Sequence, residues 1–205
     1  MNHVPAFKVI TCGDTEVGKT SIIRRCIYNT FEENKIQTLG MDYNLYDIEL
    51  ENGVKIKLGL VDTAGQERFK CLGKGYFRNA DGVLFVFSHN NKESFENLTS
   101  WIKIFEECNK KTGTNIPKYL IGNKNDLEKE VDEEEIEKFK KEYPTFKYKS
   151  TSAKKDENKI KELFQELGED IYQANKDNLN KENKSIKLSR HNDKKFGEIL
   201  ANCCL

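Results

Sequence analysis

A glycine-rich segment near the start of the chain has the spacing of a phosphate-binding loop. It reads Gly13-Asp14-Thr15-Glu16-Val17-Gly18-Lys19-Thr20 and fits the pattern G-x-x-x-x-G-K-[ST]. The glycines let the backbone turn its N–H groups toward phosphate oxygens, and a helix that starts there adds the positive end of its dipole. In such a loop Lys19 reaches the β- and γ-phosphates, and Thr20 offers a hydroxyl to Mg²⁺. The segment therefore predicts nucleotide contacts from Asp14, Thr15, Glu16, Val17, Gly18, Lys19, Thr20 and Ser21.

A second set of polar residues indicates which base the nucleotide carries. Asn123-Lys124-Asn125-Asp126 follows the apolar run that ends at Gly122, so Asp126 lies at the carboxyl end of a predicted strand, where ligands of open α/β sheets bind. A carboxylate there can accept hydrogen bonds from the ring N–H and the exocyclic amine of guanine, whereas adenine presents no such pair of donors. Ser152-Ala153-Lys154 can complete the pocket with a backbone N–H and the lysine stem. The order and spacing of these segments predict guanine contacts from Asn123, Lys124, Asp126, Ser152, Ala153 and Lys154.

Short apolar runs alternate with segments of helix length, as in the βαβ units of a parallel sheet. Strands are predicted at Ala6 to Thr11, Val83 to Phe87, Lys118 to Ile121 and Phe146 to Ser150. Near the start, Asn52-Gly53 lies between the strand-like runs Asp42 to Leu50 and Val54 to Val61, which predicts a hairpin and one antiparallel edge strand. Helices are predicted from Lys19 to about Ile27, Lys92 to about Lys111, Asp132 to about Glu142 and Glu157 to about Ala174. The pattern indicates an α/β P-loop NTPase with a mixed, mostly parallel sheet of about six strands and helices on both faces.

Composition limits the class of protein. A chain of 205 residues with 37% hydrophobic residues can bury one sizeable core, and we expect one domain. The 34 basic and 34 acidic residues cancel, so the bulk charge does not favour nucleic acid. The first residues lack a signal-peptide pattern, and no apolar stretch is long enough to span a membrane, which predicts a cytoplasmic protein. The 6 cysteines show no C-x-x-C spacing, which disfavours a disulfide framework.

The end of the chain differs in composition from the rest. Beyond Ala174 it is rich in Asn, Lys and Asp and poor in apolar residues, which is typical of a flexible tail. We therefore predict a domain at residues 1–175 and a tail at 176–205, which ends in Cys203-Cys204-Leu205. Between Lys176 and Asn202 the tail carries seven basic and four acidic residues, a weak positive excess toward an anionic membrane.

With these motifs in place, the chain resembles the Ras-like small GTPases, most closely the Rab branch, over about residues 6–174. Asp62-Thr63-Ala64-Gly65-Gln66-Glu67-Arg68-Phe69 is similar to the second switch of that family, and Thr38 matches the threonine of the first switch. The resemblance implies that Asp62 holds Mg²⁺ through water and that Gly65 contacts the γ-phosphate. It implies that Thr38 ligates Mg²⁺ when the γ-phosphate is present and that Gln66 orients the attacking water. Lys19 and Gln66 are then the expected catalytic residues, and the expected cofactors are GTP or GDP and Mg²⁺.

Three features are similar to the Rab pattern within that family. They are Leu39 to Tyr43, Tyr76-Phe77-Arg78-Asn79-Ala80 and the terminal Cys203-Cys204-Leu205. A C-a-a-X box would need a cysteine at Asn202, and Asn2 excludes N-myristoylation, so the paired cysteines resemble the Rab signal for two geranylgeranyl chains. Two chains hold a protein on a membrane where one binds only marginally. The chain departs from the family at Glu16, where a small residue is usual, and at Val61, where Rab proteins usually have Trp within an aromatic triad with Tyr43 and Tyr76.

The resemblance implies a GTP-hydrolysing switch that recruits effectors in vesicle traffic, reversibly anchored to the cytosolic face of intracellular membranes. The implied partners are an exchange factor, a GTPase-activating protein, effectors, a GDP dissociation inhibitor and a Rab escort protein, with no nucleic acid. Because no arginine is placed to act in cis, intrinsic hydrolysis is expected to be slow, and a partner's arginine could supply about 10³ to 10⁵ in rate. Two alternatives remain. One is a module that binds GTP and recruits partners without hydrolysis, against which Gln66 argues and which Glu16 leaves open; the other is a P-loop ATPase or nucleoside kinase, which Asp126 disfavours.

Overall fold

Strands and helices alternate along most of the chain. The computed structural model describes residues 4–33, 38, 40–63, 75, 77–109 and 115–202, with side chains as far as residue 179. The strands in these ranges are β1 (Ala6–Cys12), β2 (Met41–Glu49), β3 (Lys55–Thr63), β4 (Gly82–Ser88), β5 (Lys118–Asn123) and β6 (Phe146–Ser150). The helices are α1 (Lys19–Tyr28), α2 (Lys92–Glu96), α3 (Leu98–Cys108), α4 (Glu133–Glu142) and α5 (Glu157–Asn202). Every strand predicted from the sequence is present, with ends that differ by no more than two residues.

The strands form one sheet in the order β2-β3-β1-β4-β5-β6. Strand β1 pairs in parallel with β3 on one side and with β4 on the other, and β4, β5 and β6 continue in parallel. The chain therefore changes direction across the sheet at β1, and the carboxyl ends of the parallel strands lie along one edge. A crevice outside such a switch point is where open α/β sheets bind ligands. The predicted mixed, mostly parallel sheet of six strands is confirmed.

The hairpin predicted at Asn52-Gly53 is also present. Strands β2 and β3 pair antiparallel from Met41 opposite Thr63 to Glu49 opposite Lys55. In the turn, Gly53 N donates to Leu50 O at 2.8 Å, and Leu50 N donates to Val54 O at 2.8 Å. Because β2 has only β3 as a neighbour, it is the antiparallel edge strand that the sequence predicts.

Each face of the sheet carries a hydrophobic core because successive strand residues point to opposite sides. On one side, Val9 of β1 and Val86 of β4 pack with α1 and α5, through residues such as Ile22 and Leu163. On the other side, Phe85 of β4 packs with α3 and α4. Burying one side chain of this size contributes roughly 1.5–3 kcal/mol, so the two cores hold the strand ends at the edge in fixed positions.

The second predicted helix is divided in two. Instead of one helix from Lys92 to about Lys111, α2 ends at Glu96 and α3 begins at Leu98, with Asn97 between them. Asn97 keeps helical backbone angles, and its side-chain amide donates to Asp14 Oδ2 at 2.7 Å, so the interruption is local. Helix α4 begins as predicted, with Asp132 as N-cap in a capping box with Glu135.

The prediction that the last helix ends near Ala174 is wrong. Helix α5 continues to Asn202, through residues that were expected to form a flexible tail. Residues 175–202 contain no proline and only Gly197 as a glycine, and they include six Lys and three Leu residues, which favour helix. Composition indicated that this segment builds no core, but low hydrophobicity alone does not exclude a helix. The division into residues 1–175 and 176–205 as separate units stays a prediction.

Candidate nucleotide-binding site

A cavity of about 440 Å³ lies at the carboxyl ends of the parallel strands. Thirteen of the residues predicted to contact a nucleotide line it, and they come from both the glycine-rich loop and the two loops at the far end of the sheet. They are Thr15, Glu16, Gly18, Lys19, Thr20, Ser21, Thr38, Asn123, Lys124, Asp126, Ser152, Ala153 and Lys154. The fold therefore brings together in one cavity segments that are more than 100 positions apart in the sequence.

The glycine-rich loop reaches the start of α1 through a backbone that requires glycine. Gly18 caps α1 with a φ of 98°, which is left-handed, and a Cβ there would lie 2.2 Å from the Asn123 amide nitrogen. Helix α1 starts at the next residue, so its unpaired N–H groups and positive dipole end lie beside the cavity. This arrangement suits a polyphosphate.

Lys19 is the buried cation of the site. It is 5% exposed, and its ammonium donates to Gly13 O at 2.9 Å and to Asp14 O at 2.7 Å. Burial lowers the pKa of Lys19 to about 8, and the nearby Asp62 carboxylate opposes part of that shift. A charge that is so poorly solvated gains strongly when a phosphate enters the cavity.

Three oxygen-bearing side chains meet beside the loop. Thr20 Oγ1 lies 2.6 Å from Asp62 Oδ2 and 2.9 Å from Thr38 Oγ1. Asp62 is buried near the end of β3, while Thr20 stands at the start of α1. Two hydroxyls and a carboxylate form a set of hard oxygen donors next to a phosphate-binding loop, and these are the donors that Mg²⁺ prefers. The residues present fit a magnesium ion.

The far end of the cavity is held by Asn123. Its amide nitrogen donates to Val17 O at 2.8 Å, and its amide oxygen accepts from Ala153 N at 3.0 Å. One side chain thus ties the glycine-rich loop to both base-side loops. Asp126 and Lys154 line the cavity on this side. Lys154 also pairs with Glu33 at 2.5 Å, which connects the base side to the segment after α1.

Among the described residues that were predicted to contact the nucleotide, two do not line the cavity. The carboxylate of Asp14 turns toward α3, where it accepts hydrogen bonds from Trp101 Nε1 and from the Asn97 amide, each at 2.7 Å. Val17 is 1% exposed and packs in the core beneath α1. The prediction that Asp14 and Val17 contact the nucleotide rests on the backbone N–H groups of the loop and stays a prediction. Their side chains anchor the loop to the rest of the fold.

Glu16 has an unusual backbone. It is exposed and has a φ of 64°, a left-handed conformation that costs a residue with a side chain about 1 kcal/mol. A small residue is usual at this position of the family that the chain resembles, and a glycine there would not carry this strain. Its side chain borders the cavity, as the sequence predicts.

Several cavity residues were not predicted. They are Phe31, Glu32, Glu33, Thr63 and Leu127. Thr63 and Leu127 directly follow residues that were predicted, so their position along the chain was the available signal. The other three follow α1 and line the cavity, which no local pattern indicates.

Four predicted site residues lie outside the described residues. They are Gly65, Gln66, Cys203 and Cys204. Tyr76 of the aromatic triad lies outside them as well. Of the other two triad positions, Val61 is 1% exposed in the core, and Tyr43 is 54% exposed on the edge strand β2, opposite it.

Comparison with known proteins agrees with this geometry. The model of the Ras family matches residues 8–173. Ras-related protein Rab-13 of Rattus norvegicus is 38% identical over 167 residues, which cover 80% of this chain and 79% of the relative. Ras-related protein Rab-8B of Homo sapiens is 35% identical over 196 residues, which cover 92% of both chains. The matched region contains the sheet, the glycine-rich loop and both base-side loops, and the chain therefore belongs to the Ras family, in its Rab branch, as a small GTPase that binds GTP, GDP and Mg²⁺ and hydrolyses GTP to GDP.

Proposed function

We propose that this small GTPase, a switch in membrane trafficking, works by nucleotide-dependent recruitment of effectors. The observation that carries the proposal is the contact between Thr20 at the phosphate loop and Thr38 in the segment before β2, at 2.9 Å. That contact joins a fixed element to a segment on which an effector could act. A change in the bound nucleotide can therefore change the segment of Thr38, to which an effector binds.

The phosphates bind at the start of α1. Lys19 donates to the β- and γ-phosphates and carries the positive charge that the transferring group needs. Burial lowers the pKa of its ammonium to about 8, which supports this role, because a bound phosphate would restore the solvation that the buried cation has lost. Backbone N–H groups of Gly18 and Thr20 add to the anion site.

Thr20, Thr38 and Asp62 are the residues that hold Mg²⁺, with Asp62 acting through water. The bound ion supplies positive charge that neutralises the β- and γ-phosphate oxygens. The short distances between the three side chains support the assignment, since one ion can replace their mutual hydrogen bonds. Thr38 and Gly65 are ordered by the γ-phosphate, and release of phosphate frees both loops.

The base is guanine, and Asp126 selects it by accepting its ring N–H and exocyclic amine. Lys124 and Lys154 pack their stems against the ring, while Ala153 N–H and Ser152 complete the pocket. The support is that Asn123 fixes these loops relative to the phosphate loop, with hydrogen bonds of 2.8 and 3.0 Å. The position of the base relative to the phosphates is then set by the protein.

Hydrolysis requires an oriented water, and we assign that role to Gln66 on its place in the second-switch motif. Gln66→Leu is expected to keep the affinity for GTP and to lower single-turnover hydrolysis by at least about tenfold, because Leu cannot hydrogen-bond the water. Phosphate release from the GTP-loaded protein measures the rate. The matched control is Gln165→Leu. Gln165 lies on α5, outside the cavity, and its amide donates to Glu49 O at the end of β2. An unchanged rate in Gln66→Leu would contradict the role of Gln66.

A nucleotide-dependent switch of this kind implies several protein partners. An exchange factor opens the nucleotide site, a GTPase-activating protein supplies an arginine, and effectors bind the GTP form. A GDP dissociation inhibitor and a Rab escort protein handle the lipidated chain. The exposed apolar side chains of β2, Met41, Tyr43 and Leu45, support a protein-binding surface beside Thr38.

Membrane attachment uses the two cysteines near the end of the chain. No helix within the described ranges combines the length and the apolar composition that crossing a bilayer demands. Prenyl groups on Cys203 and Cys204 provide two anchors, which together hold a protein on the cytosolic face of a membrane.

Removal of Cys203 to Leu205 is expected to shift the protein from the membrane fraction to the cytosol, because both thioether anchors are lost. Fractionation of cells that express either form measures this. Cys108→Ser controls for the loss of a cysteine elsewhere in the chain. Cys108 is buried on the face of α3 that packs in the core. If the truncated chain stays on membranes, attachment does not depend on these lipids.

A further inference from the structure

His89 is a fully buried residue directly after β4, behind the guanine-binding loops. Its backbone N donates to Asn123 O at 2.9 Å, and its backbone O accepts from Glu130 N at 2.8 Å. The residue therefore joins the end of β4 to the start of the loop that carries Asp126 and to the segment that leaves it. No step of nucleotide binding or hydrolysis described above uses its imidazole.

The imidazole contacts the structures that support both base loops. Its Nε2 lies 3.0 Å from Ser150 Oγ at the end of β6 and 3.4 Å from Tyr148 Oη. The ring packs against Gly122, where a Cβ would lie 2.5 Å from Nε2. Only a glycine at the end of β5 leaves room for the ring in this position. His89 thus fills the space between the carboxyl ends of β5 and β6.

Ser150 links the His89 ring to the base-side loops through hydrogen bonds. The Asn125 amide donates to Ser150 Oγ at 3.4 Å and to Asp156 Oδ2 at 3.2 Å. Asp156 Oδ2 in turn accepts from the backbone N of Ser152 at 3.0 Å. A chain of hydrogen bonds therefore runs from the His89 ring to Asn125, the neighbour of Asp126, and on to Ser152.

We propose that His89 is a positioning residue for guanine recognition, whose neutral ring holds Ser150 and Asn125 so that the loops of Asp126 and Ser152 keep their spacing. The inference rests on the proposed role of Asp126. It deepens that role, because retention of GDP then depends on the protonation of a histidine that does not touch the nucleotide.

The surroundings of the ring favour its neutral form. Burial lowers the pKa of His89, and the Lys129 ammonium lowers it further. Glu133 on α4 opposes this, but its carboxylate is already paired with Lys129 at 2.9 Å. Within the described ranges, the ring also contacts the uncharged residues Phe87 on β4, Gly122 on β5, and Tyr148 and Ser150 on β6. Nδ1 is buried and makes no hydrogen bond within the part of the chain that the structure describes.

The lowered pKa of His89 determines how pH affects the fold and the release of GDP. Because the pKa of His89 in the folded protein is below its ordinary value of about 6.5, the neutral ring stabilises the fold fully above that pH. That contribution is lost as the pH falls through the pKa that His89 has in the folded protein. Protonation puts an unpaired charge between β5 and β6 and loosens the loops that both strands carry. Release of GDP should therefore become faster in acid.

The test compares the dissociation of a fluorescent GDP analogue from the full chain between about pH 7.5 and about pH 4.5. This range begins above the ordinary histidine pKa and extends well below it, as the lowered pKa of His89 requires. Because the nucleotide phosphates titrate in the same range, the deciding quantity is the difference between the profiles of wild type and His89→Gln. Gln can hydrogen-bond Ser150 but does not titrate. We expect the wild-type rate to rise severalfold more than that of His89→Gln. His191→Gln, at another of the 3 histidines, should retain the wild-type profile.

Different results would contradict the inference about His89 and the proposed function. Superimposable profiles of wild type and His89→Gln would overturn the inference, whereas a wild type that never binds GDP would overturn the proposed function. If His89→Gln does not fold, Ser150→Ala decides, because it cuts the path from the ring to Asn125. A reduced acid response in Ser150→Ala supports the positioning role, and an unchanged response overturns it.

Discussion

Asp126→Asn is expected to weaken the binding of GTP and GDP by about 10³-fold or more, because the site loses the acceptor for one of two guanine donors. The same substitution should improve binding of xanthosine nucleotides. Xanthine carries a carbonyl in place of the exocyclic amine, and the Asn amide can donate to that oxygen while its own oxygen accepts the ring N–H. The expected result is therefore a change of base preference, which unfolding cannot produce.

Competition of GDP and xanthosine diphosphate for the purified variant measures this preference. Glu128→Gln is the matched control, because Glu128 is an exposed carboxylate in the same loop and does not line the cavity. It should bind GDP like the wild type. If Asp126→Asn kept its preference for guanine over xanthine, the carboxylate would not be the group that reads the base.

Local sequence patterns were sufficient for the sheet. The hydrophobic runs predicted β4 and β5 because both strands are buried on almost every residue, and the Asn52-Gly53 turn predicted the antiparallel edge. Helix ends were less predictable. At the interruption, the Asn97 side chain contacts Asp14, which lies 83 positions earlier in the chain. No local pattern can contain such a contact.

The candidate site likewise combines features set by local sequence with features set by contacts between distant parts of the chain. The residues of the two base-side loops were predicted because each loop directly follows a strand, so its place at the sheet edge is determined by the strand. The direction of the Asp14 side chain could not be predicted, since it depends on how α3 packs beside the loop. Likewise, the ion pair between Glu33 and Lys154 joins segments 121 positions apart. His89 gave no signal in the sequence because its role, as we infer it, comes from its neighbours in space.

Lys19→Gln is expected to weaken GDP binding by about 10² to 10⁴-fold, because the phosphates lose a buried charge-assisted donor worth about 3–5 kcal/mol. The nucleotide-free variant should be at least as stable as the wild type, since burial destabilises the Lys19 cation when no phosphate is bound. Calorimetric titration measures the affinity, and denaturant unfolding measures the stability. Lys103→Gln, at an exposed lysine on α3, controls for loss of a surface charge.

The pH dependence of binding gives a second measurement of Lys19. Burial lowers its pKa to about 8 in the free site, while a bound phosphate keeps the ammonium protonated, so binding takes up a proton above that pH. The affinity of the wild type for GDP should therefore fall by about tenfold between pH 7 and pH 9, where the phosphates no longer titrate. Lys19→Gln, which has no proton to lose, should show a flat profile over the same range. A wild-type affinity that did not change would mean that the phosphates do not reach this ammonium, and the cavity would then bind its ligand in another orientation.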